Sequence, residues 1–554
     1  TQSSDSLIWI GTPQGLYSYN ALTFQQEYYT HDPDKPNSLS ANVIGAILED
    51  QNNVLWVATY GGGINRFDKN KKEFISSKHD TGDLTSLSND IVQTLYRDNI
   101  GAIWIGTYNG LDKFDGKKEI FHIYYSQLSP FLKSLKKEDV WAMEQTFDGA
   151  IWVGTQQGLY RIDVSRDGSV QVFTTDSEDI NSLTDNYILS LYQDNDKVLW
   201  IGTMNGGLNR YDLKTKEFTN YIRNDRKLSA GLTNNSVWDV LQDNYGNLWV
   251  ATSGGLSKLD KNTNTFTHYT KSNRDGHTIT NNDVWDIHQD RYGVIWVATS
   301  GGLNQYNERT GEFKSYDQRD YPGLSNNYIT SLFEDHMGDL WLGTHGGLNK
   351  FDRKKQKFFH YQEGDGLSNK VIYSVGEDEK GILWLGTNKG LTRFDVAKGD
   401  FHNYDMSDGL TSNRFNHGAI KKLNTDEFIL GSIEGVNLFH PDSIKDNTHI
   451  PPIYITEFKI LNKHVSPSTE EGAILKKNIS QTEQITLSYT DYVFSFEFVG
   501  LNFRQSHKNK YAYKLEGFGT DECVYTDQSK RFATYTNLPQ GEYTFKVKAA
   551  NNDG

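Results

Sequence analysis

The chain has 554 residues, 36% of them hydrophobic and 13% aromatic, with 49 Gly, four Met and a single Cys. Its length points to more than one domain, and its formal net charge of −15 excludes broad electrostatic binding to nucleic acid or anionic lipid, which needs clustered Lys and Arg. Cys523 stands alone, so no intrachain disulfide forms. Plentiful Gly and aromatic residues with little Met fit short strands and tight turns rather than helices. No run of 18 apolar residues crosses a membrane. The residues from Thr1 lack the basic start and apolar stretch of a signal peptide, so the sequence reads as a mature or excised segment.

The first predicted strand, Leu7-Ile-Trp-Ile-Gly-Thr12, announces a repeat. It returns as Leu55-Trp-Val-Ala-Thr59 and Ile103-Trp-Ile-Gly-Thr107, then around Trp152, Trp200, Trp249, Trp296, Trp341 and Trp384. A tenth copy, Phe428-Ile-Leu-Gly431, is read as placing Phe428 where Trp stood. Spacings between copies run from 43 to 49 residues. One unit shows four extended stretches: Ser236–Gln242, Asn247–Thr252, Gly255–Asp260 and Thr265–Tyr269, separated by turn formers such as Asp243-Asn-Tyr-Gly246. A four-stranded antiparallel unit at this period is the sequence form of a propeller blade. A single blade cannot bury both faces of its sheet, so blades stack around an axis, with the repeated Trp filling the space between them.

Between Phe114 and Val140 the pattern loosens, where Ser126-Gln-Leu-Ser-Pro-Phe-Leu-Lys-Ser-Leu-Lys-Lys137 replaces the usual short turn. Seven units follow, from Val140 to about Lys445. The expected division is therefore a partial propeller of about three blades over 1–126, a seven-bladed propeller over 127–445, and a separate domain over 446–554. A single ring of ten blades is the alternative. After Asp446 a different alternation begins, in Ile450–Asn462, Tyr492–Val499, Tyr511–Leu515 and Tyr543–Ala549. This reads as an immunoglobulin-like β-sandwich, cut short at Gly554. The fold class is all-β throughout.

These motifs resemble a known family. Leu324-Ser-Asn-Asn327, Leu340-Trp-Leu-Gly-Thr344, Gly346-Gly-Leu348 and Phe351-Asp352 are similar to the regulator-propeller repeats of bacterial, Bacteroides-type hybrid two-component regulators. Tyr511-Ala-Tyr-Lys-Leu-Glu-Gly517, Ala533-Thr-Tyr-Thr-Asn-Leu-Pro539 and Gly541-Glu-Tyr543 resemble the triple-tyrosine (Y_Y_Y) domain that follows such propellers. Two departures stand out: only ten repeats are visible where two complete seven-bladed propellers are usual, and no Trp lies beyond Trp384. The resemblance implies the periplasmic sensor region of an inner-membrane protein that binds a glycan-derived oligosaccharide, pairs as a homodimer and signals to a histidine kinase. Contact with the membrane would run only through segments outside these residues, and no nucleic acid is expected as a partner.

Searching for chemistry finds no His-Glu-x-x-His, no Gly-x-Ser-x-Gly, no phosphate loop and no paired-Cys motif. No catalytic residue, metal site or cofactor is expected. Asp243, Asp290, Asp335 and Asp378 recur at one repeat position and read as turn caps. Binding residues should sit where blades differ. On the innermost strands the position after the first aliphatic reads Gly45, Gln93, Trp141, Leu189, Trp238, Trp285, Thr330 and Tyr373. The bulky Trp141, Trp238, Trp285 and Tyr373 are candidate ligand-binding residues, since aromatic faces stack on sugar rings; packing between blades is the competing role. Arg414, Asn416 and His417 are the polar candidates of the last unit. A carbohydrate-active propeller enzyme and a scaffold for protein partners are the rival functions.

Overall fold

The computed structural model of the chain describes residues 1–3, 7–50, 53–69, 71–81, 86–98, 101–114, 135, 137–163, 169–179, 181–224, 226, 228–272, 278–444, 446–470, 472–503, 505–519 and 522–553. Apart from Leu135 and Lys137, the loosened stretch 126–137 lies outside them, as does Gly554. Among these residues regular structure is β-strand, interrupted only by three-residue 3-10 turns.

From Val140 to Phe439 seven antiparallel sheets follow in chain order, six with four strands and the last with three. Within each, strands are laid down from the centre outwards, as in Val237–Gln242, Leu248–Thr252, Gly255–Asp260 and Thr265–Tyr269. The second strand of each sheet is buried along its length, because both its faces meet a neighbouring sheet. One apolar cluster thus joins Trp249, Ala251 and Leu256 of one sheet to Val284, Ile287 and Ile295 of the next. Gly302, at φ +138°, begins the third strand of its sheet, where a Cβ would stand 2.5 Å from the Tyr316 carbonyl oxygen.

The repeated Trp is tied to the turn that precedes it. Each indole N–H donates to an oxygen six residues upstream: Trp200 to Asp194 at 2.8 Å, Trp249 to Asp243 at 2.8 Å, Trp296 to Asp290 at 2.8 Å, Trp341 to Asp335 at 2.7 Å and Trp384 to Asp378 at 3.1 Å. The second oxygen of the same carboxylate accepts turn N–H groups, as Asp243 does from Tyr245 and Asn247. Where Thr146 replaces Asp, its hydroxyl takes the Trp152 N–H at 3.1 Å. The last sheet corrects the sequence reading. Pairing places Ile429, not Phe428, in register with the Trp position, since Ile429 faces Lys421 and Leu438 as Trp341 faces Phe333 and Lys350. There Leu423 occupies the place of the Asp, its N–H bonded to the Glu427 carbonyl as that of Asp335 is to Asp339. Donor and acceptor have disappeared together.

The ring closes between its first and seventh sheets. Asn416 donates to Asp139 at 2.7 Å and to the Val140 carbonyl at 2.8 Å, and Lys421 pairs with Glu144 at 2.7 Å. Behind these contacts Val140, Met143 and Val153 pack with Ala419, Ile429 and Leu438.

Residues 117–445 form one compact unit, and residues 1–116 together with 446–554 form the other. The three opening sheets, expected as a domain of their own, therefore group with the C-terminal sandwich. The physical reason lies in contacts between the third sheet and the sandwich. Phe503 meets Trp104 edge-on at 5.9 Å, and Lys113 donates to the Phe503 carbonyl. The sandwich pairs a sheet of Lys463–His464, Ile453–Ile460, Val493–Gly500 and Phe532–Thr536 with one of Val524–Asp527, Lys510–Glu516 and Thr544–Ala550. Phe496, Phe498, Tyr511 and Phe545 pack between them. Tyr511 donates to Gln528 at 2.9 Å, and Tyr543 to the Pro539 carbonyl at 2.9 Å.

Asp243→Ala leaves the buried Trp249 N–H and two turn N–H groups without their acceptor. It should cost about 2–4 kcal/mol in urea unfolding. Thr146→Ala, which removes a neutral acceptor, should cost less.

Candidate ligand-binding site

Six of the seven innermost strands open with a β-bulge. Their pairing shifts between Val140 and Ala142, Ile188 and Ser190, Val237 and Asp239, Val284 and Asp286, Ile329 and Ser331, and Ile372 and Ser374. The residue skipped at each bulge is Trp141, Leu189, Trp238, Trp285, Thr330 or Tyr373. A bulged residue is released from the ladder and its side chain is re-aimed. In the last sheet the irregularity widens to span Phe415 to Ile420, with Gly418 at φ +63°.

These side chains meet at one end of the central channel. Trp238 and Trp285 lie 4.4 Å apart between ring centroids, and Trp141 stands 6.3 Å from Trp238. His417 stacks on Trp285 at 4.9 Å, with Tyr373 on its other side at 4.7 Å. Trp141, Trp238, Trp285 and His417 line a cavity of about 200 Å³. Two other candidates do not join them: Asn416 is buried at the ring closure, and Arg414 is exposed.

Trp238 donates to Ser253 at 2.7 Å and Trp285 to Ser300 at 2.8 Å. Gln156 takes the place of those serines in the first sheet, and the buried N–H of Trp141 has no partner. Nδ1 of His417 is likewise buried and unpartnered. Burial, with His345 and Arg414 nearby, pushes the His417 imidazole down to about 3, so it is neutral at physiological pH.

The cluster extends to residues that sequence reasoning missed. Tyr328 stacks on His345 at 4.0 Å and reaches Trp285 at 5.4 Å, while Tyr187 meets Trp141 at 5.7 Å. The signal was present two positions earlier in the repeat, where Tyr187 and Tyr328 stand against Asp139, Ser236 and Asp283, and just after the Gly-Thr pair, where His345 stands against Ser253 and Ser300. Also missed were Asp239 and Asp286, which line the same cavity one residue beyond the aromatic position. Asp239 accepts from the Ile287 N–H at 2.9 Å and Asp286 from the Leu332 N–H at 2.6 Å. Burial raises both above the ordinary carboxylate range, and the charge of Asp286 adds to the rise at Asp239.

Seven segments of the chain, 38–61, 86–109, 182–205, 231–254, 278–301, 323–346 and 366–389, match the two component regulator propeller repeat, and residues 502–554 match the Y_Y_Y domain. The chain carries regulator-propeller repeats and a Y_Y_Y domain. A histidine kinase, P4 of Formosa agariphila, is 38% identical over 142 residues, which are 26% of this chain and 10% of that protein. The matched segment thus spans about a tenth of the length of this curated relative. Among solved structures, one described as the extracellular domain of the hybrid two component system BT3049 from B. thetaiotaomicron is 22% identical. It covers 99% of this chain and 88% of its own, with a TM-score of 0.55. Another from the same organism, described as the extracellular domain of the one component system BT4673, is 24% identical over 100% of this chain and 71% of its own, with a TM-score of 0.48. The first likeness is one of fold.

The carboxyl pair sets a pH dependence. Its folded form holds protons that unfolded Asp releases near 3.8, so its contribution to stability is present in acid and is lost as pH rises through about 6, the value reached by Asp286. Asp239→Asn removes the share of that loss that belongs to Asp239. The melting temperature of the variant, measured against wild type, should be more favourable at pH 7.5 than at pH 5. The opposite change of His417, which loses stability in acid, cancels in this difference.

Proposed function

We propose that this chain is the extracytoplasmic, ligand-sensing part of a two-component signalling protein, and that an oligosaccharide binds at the aromatic end of the seven-bladed ring. The observation that carries the reading is the convergence of Trp141, Trp238, Trp285, Tyr373 and His417 on one channel mouth through bulges in separate blades. Packing between blades is served by another set, the fully buried Trp of the second strands. The bulged aromatics are only half-buried, and Trp141, Trp238 and Trp285 line a cavity, the disposition that suits stacking on the apolar face of a sugar. The repeats, the Y_Y_Y domain and the matched segment of a histidine kinase support a signalling role, and the neighbours described as extracellular domains support a periplasmic location.

A ligand shifts a signalling equilibrium only if it binds one arrangement of the protein better than another. The sandwich would carry that shift towards the membrane in a homodimer, with the kinase beyond these residues.

Calorimetry with a panel of glycan fragments tests the reading. At least one fragment should bind. Trp285→Ala should weaken it by at least ~30-fold, about 2 kcal/mol for a stacked aromatic anchor, and the double variant with Trp238→Ala should abolish binding while the thermal transition persists. Unchanged affinity in the folded double variant would show that these rings only pack against one another.

A further inference from the structure

We infer that the Asp239–Asp286 pair sets the charge class of the ligand: the channel accepts the uncharged or cationic end of a glycan and rejects an end bearing uronate or sulfate. This rests on the glycan reading above and goes beyond it in naming the chemistry that the channel selects.

The fold does not require these carboxyls. Two successive repeats spell Val-Trp-Asp, at 237–239 and 284–286, while the position after the bulge holds Ala142, Ser190, Ser331 or Ser374 in the other sheets with that bulge. Small side chains thus suffice to link neighbouring sheets there, as when Ser190 reaches the Val237 carbonyl at 3.5 Å. Introducing two acids costs desolvation that Ala or Ser avoids.

No Lys or Arg among the residues lining the cavity compensates their charge. One oxygen of each carboxyl accepts a backbone N–H, and burial raises Asp239 well above the ordinary carboxylate range but Asp286 only to about 6, which leaves a negative charge on the channel wall at neutral pH. The residues lining the cavity include no Lys or Arg, and the one imidazole among them, His417, is neutral. In a protein-walled channel such a charge is poorly screened, and an anion brought beside it is strongly disfavoured.

The same level of the channel offers unused hydrogen-bonding groups. Ser331 and Ser374, 3% and 0% exposed, are among the residues around the cavity, and their hydroxyls and the N–H of Trp141 are buried without a partner. Hydroxyls of a neutral sugar satisfy such groups as both donors and acceptors. A cavity of about 200 Å³, below the ~300–1,000 Å³ common for drug-sized ligands, suits a single terminal ring entering end-on.

Matched pairs of short gluco-, galacto- and xylo-oligosaccharides, ending in the neutral sugar or in its uronic acid, test this by calorimetry on the whole chain. Wild type should bind the neutral member of a pair at least ~10-fold more tightly, and Asp239→Asn with Asp286→Asn should narrow the gap to within ~3-fold. Asn keeps an acceptor for the Ile287 and Leu332 N–H groups. Should the double variant fail to fold, Asp286→Asn alone, which removes the carboxyl that ionises at about 6, should narrow the gap in the same direction. An acidic member that binds wild type as tightly as its neutral twin overturns the inference, and so does an unchanged gap in a folded variant. Absence of binding by either member of every pair would instead overturn the glycan reading itself.

Discussion

The structure depends on one bond made again and again: a buried indole N–H donating to the carboxylate of the turn six residues before it. A Trp between two sheets buries a large apolar surface but brings a polar donor with it, and a buried donor without a partner is costly. The preceding turn solves both problems. Its Asp caps its own backbone with one oxygen and receives the indole with the other, so turn geometry and core packing fix each other. The last sheet shows the coupling by its absence, since Ile429 needs no acceptor and Leu423 supplies none.

Much of this was legible in the sequence, because period and polarity repeat. Ten marked units at nearly constant spacing declare stacked four-stranded sheets before any coordinate is known. The error at Phe428 has a simple origin. A large aromatic beside the expected place was taken for the Trp, whereas the ladder counts residues from the turn and seats Ile429 there. The grouping of the opening sheets with the sandwich was hidden for another reason. It is made between Phe503, outside any repeat, and Trp104 and Lys113, distant from it in the chain.

The candidate site was legible in part. Comparing blades column by column found Trp141, Trp238, Trp285 and Tyr373, because a ring channel gathers equivalent positions from every sheet. The same comparison missed Asp239 and Asp286, since Asp is common in this chain and the recurring turn Asp drew the attention. It also misplaced Asn416, whose partners Asp139 and Val140 lie far away in sequence. A side chain's role at the junction of the ring cannot be read from its own repeat.

That junction has a mechanical consequence. Six sheet-to-sheet contacts in the ring are backed by a connecting loop, so sheets that part are held close and rejoin. The seventh relies on Asn416, Lys421 and the apolar residues behind them, with no covalent bridge across it. It is the clasp of the bracelet. Breathing of the ring concentrates there, and Asn416 is the immediate neighbour of His417, so any loosening of the clasp is felt first by the imidazole at the centre of the aromatic cluster.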